Sequence, residues 1–295
     1  MTERIMLIRN PAKARSLSAA ATIITSLRKS KFGIAGLVVV VAFTFVAVFA
    51  PFIAPYNPTE VHVERRFLLP SLQFLLGTDE FGRDVLSRLI YGAQVSFIVA
   101  VGTVAISMAV GVLVGSISGY YRGRIDFVIM RVVDIFTSFP YLLLAVGIIA
   151  VLGRGVDRLI LVLPLLFWTD YARITRGISL YLVKLEYIEA SKIFGSSGPR
   201  IIVSHVLPNV FPTCIVIATF QLASAIVTET SLSFLGLGVN PPMASWGNML
   251  TNSQEYILRA PQLAIIPGLV ITAVILGFNL LGDALRDALD PRLRL

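Results

Sequence analysis

The feature that most limits what this chain can fold into is a pair of long segments without a charged residue. One spans 23 residues, 32–54, and the other spans 33 residues, 89–121. A helix rises about 1.5 Å per residue, so either segment can cross a hydrocarbon layer roughly 30 Å thick. The first is also longer than the apolar core of a signal peptide. Both segments therefore predict membrane-spanning helices.

The composition agrees with an integral membrane protein. Hydrophobic residues make up 56% of the 295 residues, charged residues make up 14%, and the mean hydropathy is +0.82. These values lie outside the usual range of soluble domains. The net charge of +8 could indicate a nucleic-acid partner. Basic residues beside apolar spans also satisfy the positive-inside rule, however, so we predict no nucleic-acid partner.

Cysteine and histidine give no sign of a metal or redox site. Cys214 is the only cysteine, which excludes an internal disulfide, and the two histidines belong to no ligand motif such as CxxC or HExxH. We therefore predict neither a bound metal nor a cofactor.

Charge counting decides how many spans the chain has. The candidates lie at about residues 32–54, 94–119, 133–153, 157–173, 206–229 and 260–282. The fourth is uncertain, because only residues 159–169 are uncharged, which gives about 17 Å of helix. With six spans and a cytoplasmic N-terminus, 18 of the 25 Lys and Arg residues are cytoplasmic and 7 are external. Without span four, 11 would lie inside and 14 outside, against the rule. We predict an all-α protein with six spans.

Residues 1–31 precede the first span and carry seven Lys or Arg residues against one acid, Glu3. This pattern predicts a basic amphipathic segment on the cytoplasmic leaflet.

A polar and basic segment, residues 186–209, separates two strongly apolar regions and is the candidate site. The part just before and into it has apolar residues in rough helical spacing, at Leu182, Leu185, Ile188 and Phe194. They predict a short amphipathic helix. Gly195 can take the left-handed conformation that ends a helix, and Pro199 can begin a second short helix over residues 199–204. The predicted structure is helix, glycine corner, helix.

The segment also contains a spaced pattern: Glu189-Ala190-Ser191, then Gly195, then His205-Val206-Leu207-Pro208. It resembles the EAA loop of the membrane subunits of ATP-binding-cassette importers. That family usually has Ala at the place of Ser191 and Ile at the place of His205. Its peptide-transporting members often carry the His-x-Leu-Pro-Asn form. The alternative is an ordinary interfacial helical hairpin between two spans.

Three further segments resemble dipeptide and oligopeptide permeases of the C type. They are Gly77-Thr78-Asp79 with residues 82–88, residues 233–238 with Pro241-Pro242 and Ser245-Trp246-Gly247, and residues 279–283 with Asp290-Pro291-Arg292. Gln94 departs from the Arg that this family commonly has. The charges of the first segment also fit a capped surface helix, with Thr78 or Asp79 as the cap and Asp84 paired with Arg88.

The resemblance implies the type I importer (MetI-like) permease fold in the cytoplasmic membrane of a bacterium or archaeon. It implies a dimer with a second, related permease, two cytoplasmic ATPases, and an external solute-binding protein that delivers di- or oligopeptides. Coupling to the ATPases would fall within residues 180–208, on Glu186, Glu189, Ala190, Ser191, Gly195, Leu207 and Pro208. Nickel, glutathione and oligosaccharide importers share these signatures. A channel or ion-coupled carrier is the alternative from another class, but no pair of related, broken spans is visible.

No enzyme activity is predicted from the sequence. It lacks a phosphate-binding loop of the form GxxxxGK followed by Ser or Thr, so the energy must come from another polypeptide. Glu229 is the acid deepest in apolar sequence, where an ionisable group is costly unless it is paired or wet. We assign it to the substrate path or a subunit interface, with capping of the next helix as the alternative. Asp134 with Arg131, and Asp170 with Arg173, have the spacing of structural pairs.

The topology is testable by thiol labelling. We expect residues 4–31, the polar loop and the tail from Asp283 to be cytoplasmic, with residues 55–88 and 231–259 external. In a chain whose Cys214 is replaced by Ser, Ser71→Cys should react with a membrane-impermeant thiol reagent in intact cells. Ser197→Cys should react only after lysis. Labelling of Ser197→Cys from outside would contradict both the six-span topology and the docking of an ATPase on this loop.

Overall fold

The structure is a computed structural model that describes residues 30–289, and it is built of helices. In chain order these are α1 (Lys31–Val48), α2 (Ala50–Ile53), α3 (Val85–Tyr121), α4 (Gly123–Thr137), α5 (Tyr141–Leu152), α6 (Val156–Val162), α7 (Pro164–Leu182), α8 (Glu186–Ile193), α9 (Gly198–Phe234), α10 (Trp246–Ser253) and α11 (Gln262–Leu289). Between residues 30 and 289 the only extended pairing is an isolated bridge joining Thr78 and Asp84. The predicted N-terminal segment lies almost wholly outside the described residues, as does the match at Asp290-Pro291-Arg292.

Four helices, α1, α3, α9 and α11, are long and apolar enough to cross a membrane. The pair α4 and α5 makes a fifth span if it is counted as one. Helix α3 contains the predicted span 94–119, α9 contains 206–229, and α11 covers most of 260–282. The predicted span 32–54 corresponds to α1 followed by the short helix α2. The remaining two predicted spans, 133–153 and 157–173, are each divided between two helices.

Prolines mark both divisions. Helices α4 and α5 meet at an angle of 83°, and Pro140 lies immediately before α5. Helix α6 ends at Val162, and Pro164 is the first residue of α7. Proline has no N–H to donate and its ring clashes with the preceding turn, so it begins a helix more readily than it continues one. These two regions therefore differ from the straight spans expected of them.

Helices α3 and α7 pack closely along a row of glycines. Gly111, Gly115 and Gly119 recur at every fourth residue of α3 and face α7. A Cβ atom added at Gly115 would lie 2.1 Å from Oγ1 of Thr175 and 2.3 Å from the carbonyl oxygen of Ala172. Small residues at this spacing let two membrane helices approach each other's backbones. The contact therefore requires glycine, and the repeat that signals it is visible in the sequence.

A buried charge cluster holds residues 54–84 against the start of α3. Arg83 donates from Nε to Oδ2 of Asp79 at 2.7 Å and from Nη2 to Oε1 of Glu80 at 2.9 Å. Nε of Arg88 lies 3.3 Å from Oδ2 of Asp79, and Asn252 of α10 donates to Glu80 at 3.0 Å. All four charged side chains are buried, and burial raises the pKa of Glu80, with the charge of Asp79 acting in the same direction. The cluster joins this segment to α3 and α10.

The expected cap and partner at the start of α3 were wrong. Asp84 caps the helix, because its Oδ2 accepts from the backbone N–H of Ser87 at 2.7 Å. Thr78 instead accepts from the N–H of Leu68 at 2.9 Å. Since Asp84 is occupied as the cap, Arg88 pairs with Asp79.

The two predicted i, i+3 ion pairs are also replaced by other contacts. Arg173 of α7 pairs with Asp134 of α4 at 3.0 Å, and not with Asp170. The guanidinium of Arg131 lies over the ring of Phe127, 5.3 Å from its centroid. The bend after α4 brings Asp134 beside α7, where a partner on another helix is within reach.

The glycine contact can be tested with a matched pair of substitutions. Gly115→Ala should destabilise the folded protein by about 1 to 3 kcal/mol, because the added methyl group overlaps the backbone of α7. Gly268→Ala in α11 meets nothing within 4 Å and should leave stability unchanged or slightly raised, since Ala favours a helix. The measurement is thermal unfolding of both purified variants in one detergent. Equal melting temperatures would show that the close contact of α3 and α7 is not required.

Candidate coupling site

The polar loop contains a short helix, α8, that ends at a glycine corner. The N–H of Ser196 donates to the carbonyl of Ser191 at 3.0 Å, and the N–H of Gly195 donates to that of Lys192 at 2.9 Å. These two bonds form a Schellman motif, which needs a left-handed residue at the corner. Gly195 supplies it, with φ of +81°. The predicted glycine corner is therefore confirmed.

Ser191, where the resembled family usually has Ala, takes part in the corner. Its hydroxyl donates to the hydroxyl of Ser196 at 3.2 Å. This bond links the same two residues as the backbone hydrogen bond, so the side chains add a second hydrogen bond across the corner. An alanine at this position has no atom to make that bond.

The second half of the loop is not a separate short helix. Residues 198–201 begin α9, which continues for 37 residues to Phe234. Its second turn is a π-helix, Ile202–Val206, in which the N–H of Leu207 donates to the carbonyl of Ile202, five residues back. Pro208 follows and has no N–H. It therefore cannot donate the backbone hydrogen bond that would restore the i→i−4 pattern of an α-helix. Leu207 is half-buried and Pro208 is exposed, both in the turn after the π-helix.

One side chain anchors α8 to the spans. Ile188 is fully buried in a cluster that includes Tyr171 of α7 and Val206 and Cys214 of α9. The neighbouring positions of α8, Glu186, Tyr187 and Glu189, are exposed. The helix is therefore held along one line of contact, and its other faces are open to solvent or to a partner.

The tip of the loop presents large apolar side chains. Ile193 is 83% exposed and Phe194 is 88% exposed, just before the corner at Gly195. The expectation that Phe194 continues the buried face of the helix was wrong, because α8 ends at Ile193 and the corner turns the chain away. A signal for this was visible in the sequence, since two large apolar residues directly before a helix-ending glycine cannot both lie on the face that carries Ile188.

The end of α3 supports the loop. Nζ of Lys192 lies 5.5 Å from the ring centroid of Tyr120, and a Cβ added at Gly198 would lie 2.9 Å from the hydroxyl of Tyr121. Arg122, next in the chain, donates to the carbonyl of Leu180 at 3.1 Å. The loop is thus fixed at the α3 end by tyrosines that the sequence analysis did not single out.

Glu229 lies far from the loop, near the other end of α9. Its side chain is 0% exposed. Oε2 accepts from the hydroxyl of Ser96 on α3 at 2.8 Å, and Oε1 accepts from that of Ser233 at 2.8 Å. Since α9 continues past it to Phe234, Glu229 does not cap the next helix. Its contacts join α3 to α9 within this chain.

The structure therefore brings the candidate coupling residues together. Glu229 lies apart from them. Six of the seven lie at α8, the corner or the base of α9 with an exposed or half-buried side chain: Glu186, Glu189, Ala190, Ser191, Leu207 and Pro208. Gly195 is the corner itself. Over residues 30–289, no group of three or more His, Cys, Asp or Glu side chains is arranged to hold a metal ion.

Several long apolar helices joined by a loop with exposed polar side chains are typical of a multi-pass membrane protein. The chain belongs to the family of binding-protein-dependent transport system inner membrane components, whose model matches residues 111–295. It has that family's MetI-like fold. A model of the N-terminal transmembrane domain of oligopeptide transport permease C matches residues 18–70. The chain is therefore a C-type permease of the inner membrane.

The sequences of several named relatives match this chain along most of its length. The di/tripeptide transport system permease protein of Pseudomonas aeruginosa is 42% identical over 277 residues, 91% of each chain. The dipeptide transport system permease protein of Alkalihalophilus pseudofirmus is 39% identical, over 91% of this chain and 88% of its own. A glutathione transport system permease protein of Escherichia coli is 39% identical, over 90% of this chain and 88% of its own.

The anchoring of α8 can be tested with two isoleucines. Ile188→Ala removes a fully buried side chain and should cost about 2 to 5 kcal/mol locally, so α8 should exchange its amide hydrogens much faster. Ile193→Ala removes a side chain that is 83% exposed and should leave exchange nearly unchanged. Hydrogen–deuterium exchange of peptides covering residues 186–196 measures both. Equal protection in the two variants would show that Ile188 does not anchor the helix.

Proposed function

We propose that this protein is the permease subunit of an ATP-driven importer of di- or oligopeptides. The observation that carries the proposal is the identity of 42% and 39% to permeases named for di/tripeptides and dipeptides, over 91% of this chain. The match to the N-terminal domain of oligopeptide permease C supports the same substrate class.

The proposed importer contains further subunits. A second, related permease completes the translocation path, and an external solute-binding protein delivers the peptide. Two cytoplasmic ATPases supply the energy, because this sequence has no phosphate-binding loop of its own. ATP binding and hydrolysis would shift the permease pair between inward and outward access. The N-terminus, the polar loop and the C-terminus then face the cytoplasm.

The polar loop is the proposed ATPase contact. Its exposed tip combines the carboxylates of Glu186 and Glu189 with the apolar side chains of Ile193 and Phe194. Large apolar side chains that remain exposed beside polar ones are typical of a surface covered by a partner protein. Ala190 and Ser191 form the half-buried side of this surface, Gly195 sets its direction, and Leu207 and Pro208 lie at its base.

Glu229 contributes to the path indirectly in this proposal. Its carboxylate is hydrogen-bonded to Ser96 and Ser233 and has no exposed surface. We assign it to the wall of the path, where it holds α3 and α9 together.

Glutathione is a second candidate substrate. The 39% identity to a glutathione permease is close to that of the dipeptide permeases, and glutathione is itself a tripeptide. Uptake assays with dipeptides, longer peptides and glutathione distinguish the two candidates.

Charge reversal at the loop tests the docking proposal. Glu189→Lys changes an exposed side chain and should alter folding by no more than about 0.5 kcal/mol. Across an assembled interface it should weaken docking by about 2 to 5 kcal/mol, a factor of about 30 to several thousand. Peptide uptake and co-purification with the ATPase should therefore collapse while membrane abundance is kept. Lys184→Glu is the control on the same segment.

The corner provides an independent variant. Gly195→Val forces a β-branched residue into the left-handed region, at a cost of at least about 1 to 2 kcal/mol, although its Cβ would meet nothing within 4 Å. Gly195→Asn should keep activity, since Asn tolerates this conformation. Normal uptake and ATPase association in both Glu189→Lys and Gly195→Val would show that the loop is only an interfacial hairpin without a coupling role. Absence of peptide uptake by the complete unaltered complex would contradict the proposed function itself.

A further inference from the structure

A groove opens beside the bend between α4 and α5. Two cavities of about 390 Å³ and 360 Å³ lie next to each other and share two lining residues, Asp170 of α7 and Ser224 of α9. The first is lined mainly by aromatic side chains, including Phe136, Phe139 and Tyr141. The second is lined by Arg173 and Gln221 among others. We call these two cavities together the Asp170 groove.

The charges of the groove do not cancel. Arg173 is the cation that lines it, and it is paired with Asp134 at 3.0 Å. Asp170 is exposed and forms no ion pair with any residue from 30 to 289. Its carboxylate accepts one hydrogen bond, from Nε2 of Gln221 at 3.2 Å. When Asp134, which pairs with Arg173 from outside the two linings, is counted, the three groups carry one net negative charge.

Two acceptor atoms near this carboxylate are not fully used. Gln221 donates to both Asp170 and the carbonyl of Phe167, and its Oε1 is buried without a partner in a side chain only 5% exposed. The hydroxyl of Ser224 donates to the carbonyl of Phe220 at 3.1 Å, which leaves its lone pairs free. The carboxylate of Asp170 and the hydroxyl of Ser224 are both exposed, so they can accept hydrogen bonds from a ligand that brings donors.

The depth of the groove along the membrane-spanning helices makes contact with lipid unfavourable for its carboxylate. Gln221 and Ser224 lie near the middle of the Leu207–Phe234 part of α9, a helix long and apolar enough to cross a membrane. Asp170 is on the side of α7 away from the face of Tyr171, Ala172 and Thr175 that packs on α3. A free carboxylate at this depth is tolerated where it faces a water-filled path or a partner.

We propose that the Asp170 groove binds the protonated α-amino group of the transported peptide. The ammonium group has N–H donors and one positive charge, which match the exposed carboxylate of Asp170 and the exposed hydroxyl of Ser224. The side chain of the first peptide residue lies against Phe136, Phe139 and Tyr141. This inference rests on the proposed function, because it takes the cargo to be a peptide with a free amino terminus.

The test compares two substrates in the complete complex. The chain is reconstituted in vesicles with its genomic partners, and uptake of L-alanyl-L-alanine is measured beside that of its N-acetyl derivative. Asp170→Asn should lower uptake of the free-amine peptide by about tenfold to a hundredfold and leave that of the acetylated peptide unchanged. The binding protein is the same in both assays, so its own preference cancels in the comparison. Asp157→Asn removes another exposed carboxylate, paired with Arg158, and should change neither uptake.

A second measurement does not depend on the activity of the Asp170 variant. In a chain whose Cys214 is replaced by Ser, Ser224→Cys should react at least about tenfold faster with a cationic thiosulfonate than with an anionic one. Dialanine should slow the reaction, and its N-acetyl derivative should not. Equal rates for the two reagents, or equal protection by the two peptides, would overturn the inference, as would an unchanged substrate ratio in Asp170→Asn. Failure of the unaltered complex to transport dialanine would instead defeat the proposed function and this inference with it.

Discussion

The close contact between α3 and α7 is the constraint on which the rest of the structure depends. Because Gly111, Gly115 and Gly119 admit the backbone of α7, that helix can dock only with the face of Ala172 and Thr175 turned inward. Its rotation is then fixed, and two consequences follow. The opposite face carries Asp170 into the groove, and the end of α7 delivers α8 beside Tyr120. A single backbone approach thus positions both the surface proposed for the ATPase and the site proposed for the peptide.

Polar side chains of the described residues are of two kinds, those whose bonding capacity is used within the chain and those with some of it unused. Asp79, Glu80, Arg83 and Arg88 neutralise one another, and Glu229 is satisfied by serine hydroxyls on two helices. Such groups are compensated within the chain, and removing one partner would leave a costly unpaired charge. The carboxylate of Asp170 and Oε1 of Gln221 belong to the second kind, because their remaining bonding capacity is unused. Buried atoms elsewhere, such as Oδ1 of Asp84 and the hydroxyl of Tyr171, also lack a partner, so it is the exposure of Asp170 in a groove that indicates a binding site.

Sequence reasoning recovered the features that local chemistry determines. Uncharged runs gave the long helices, and Gly195 gave the corner, because a helix-ending glycine acts through its own backbone. It missed features that depend on neighbours. Pro140 and Pro164 were visible, but a search for continuous spans of about 20 residues passed over them. The i, i+3 pair of Asp170 and Arg173 failed because α4 brings Asp134 to Arg173. The exposure of Phe194 depends on where α8 ends, and the Asp170 groove joins residues more than 50 positions apart.

The continuity of α9 has a mechanical consequence. Residues 198–234 form one helix of 37 residues, about 55 Å long at 1.5 Å per residue. The corner proposed to contact the ATPase lies at one end, Gln221 and Ser224 lie along its length, and the carboxylate of Glu229 lies close to the other end. If a rigid helix of this length tilts about one end, its far end moves by about 1 Å for each degree. In the proposed topology, a tilt of a few degrees at the corner would therefore move the far end of α9 by several ångströms, with no helix unwound.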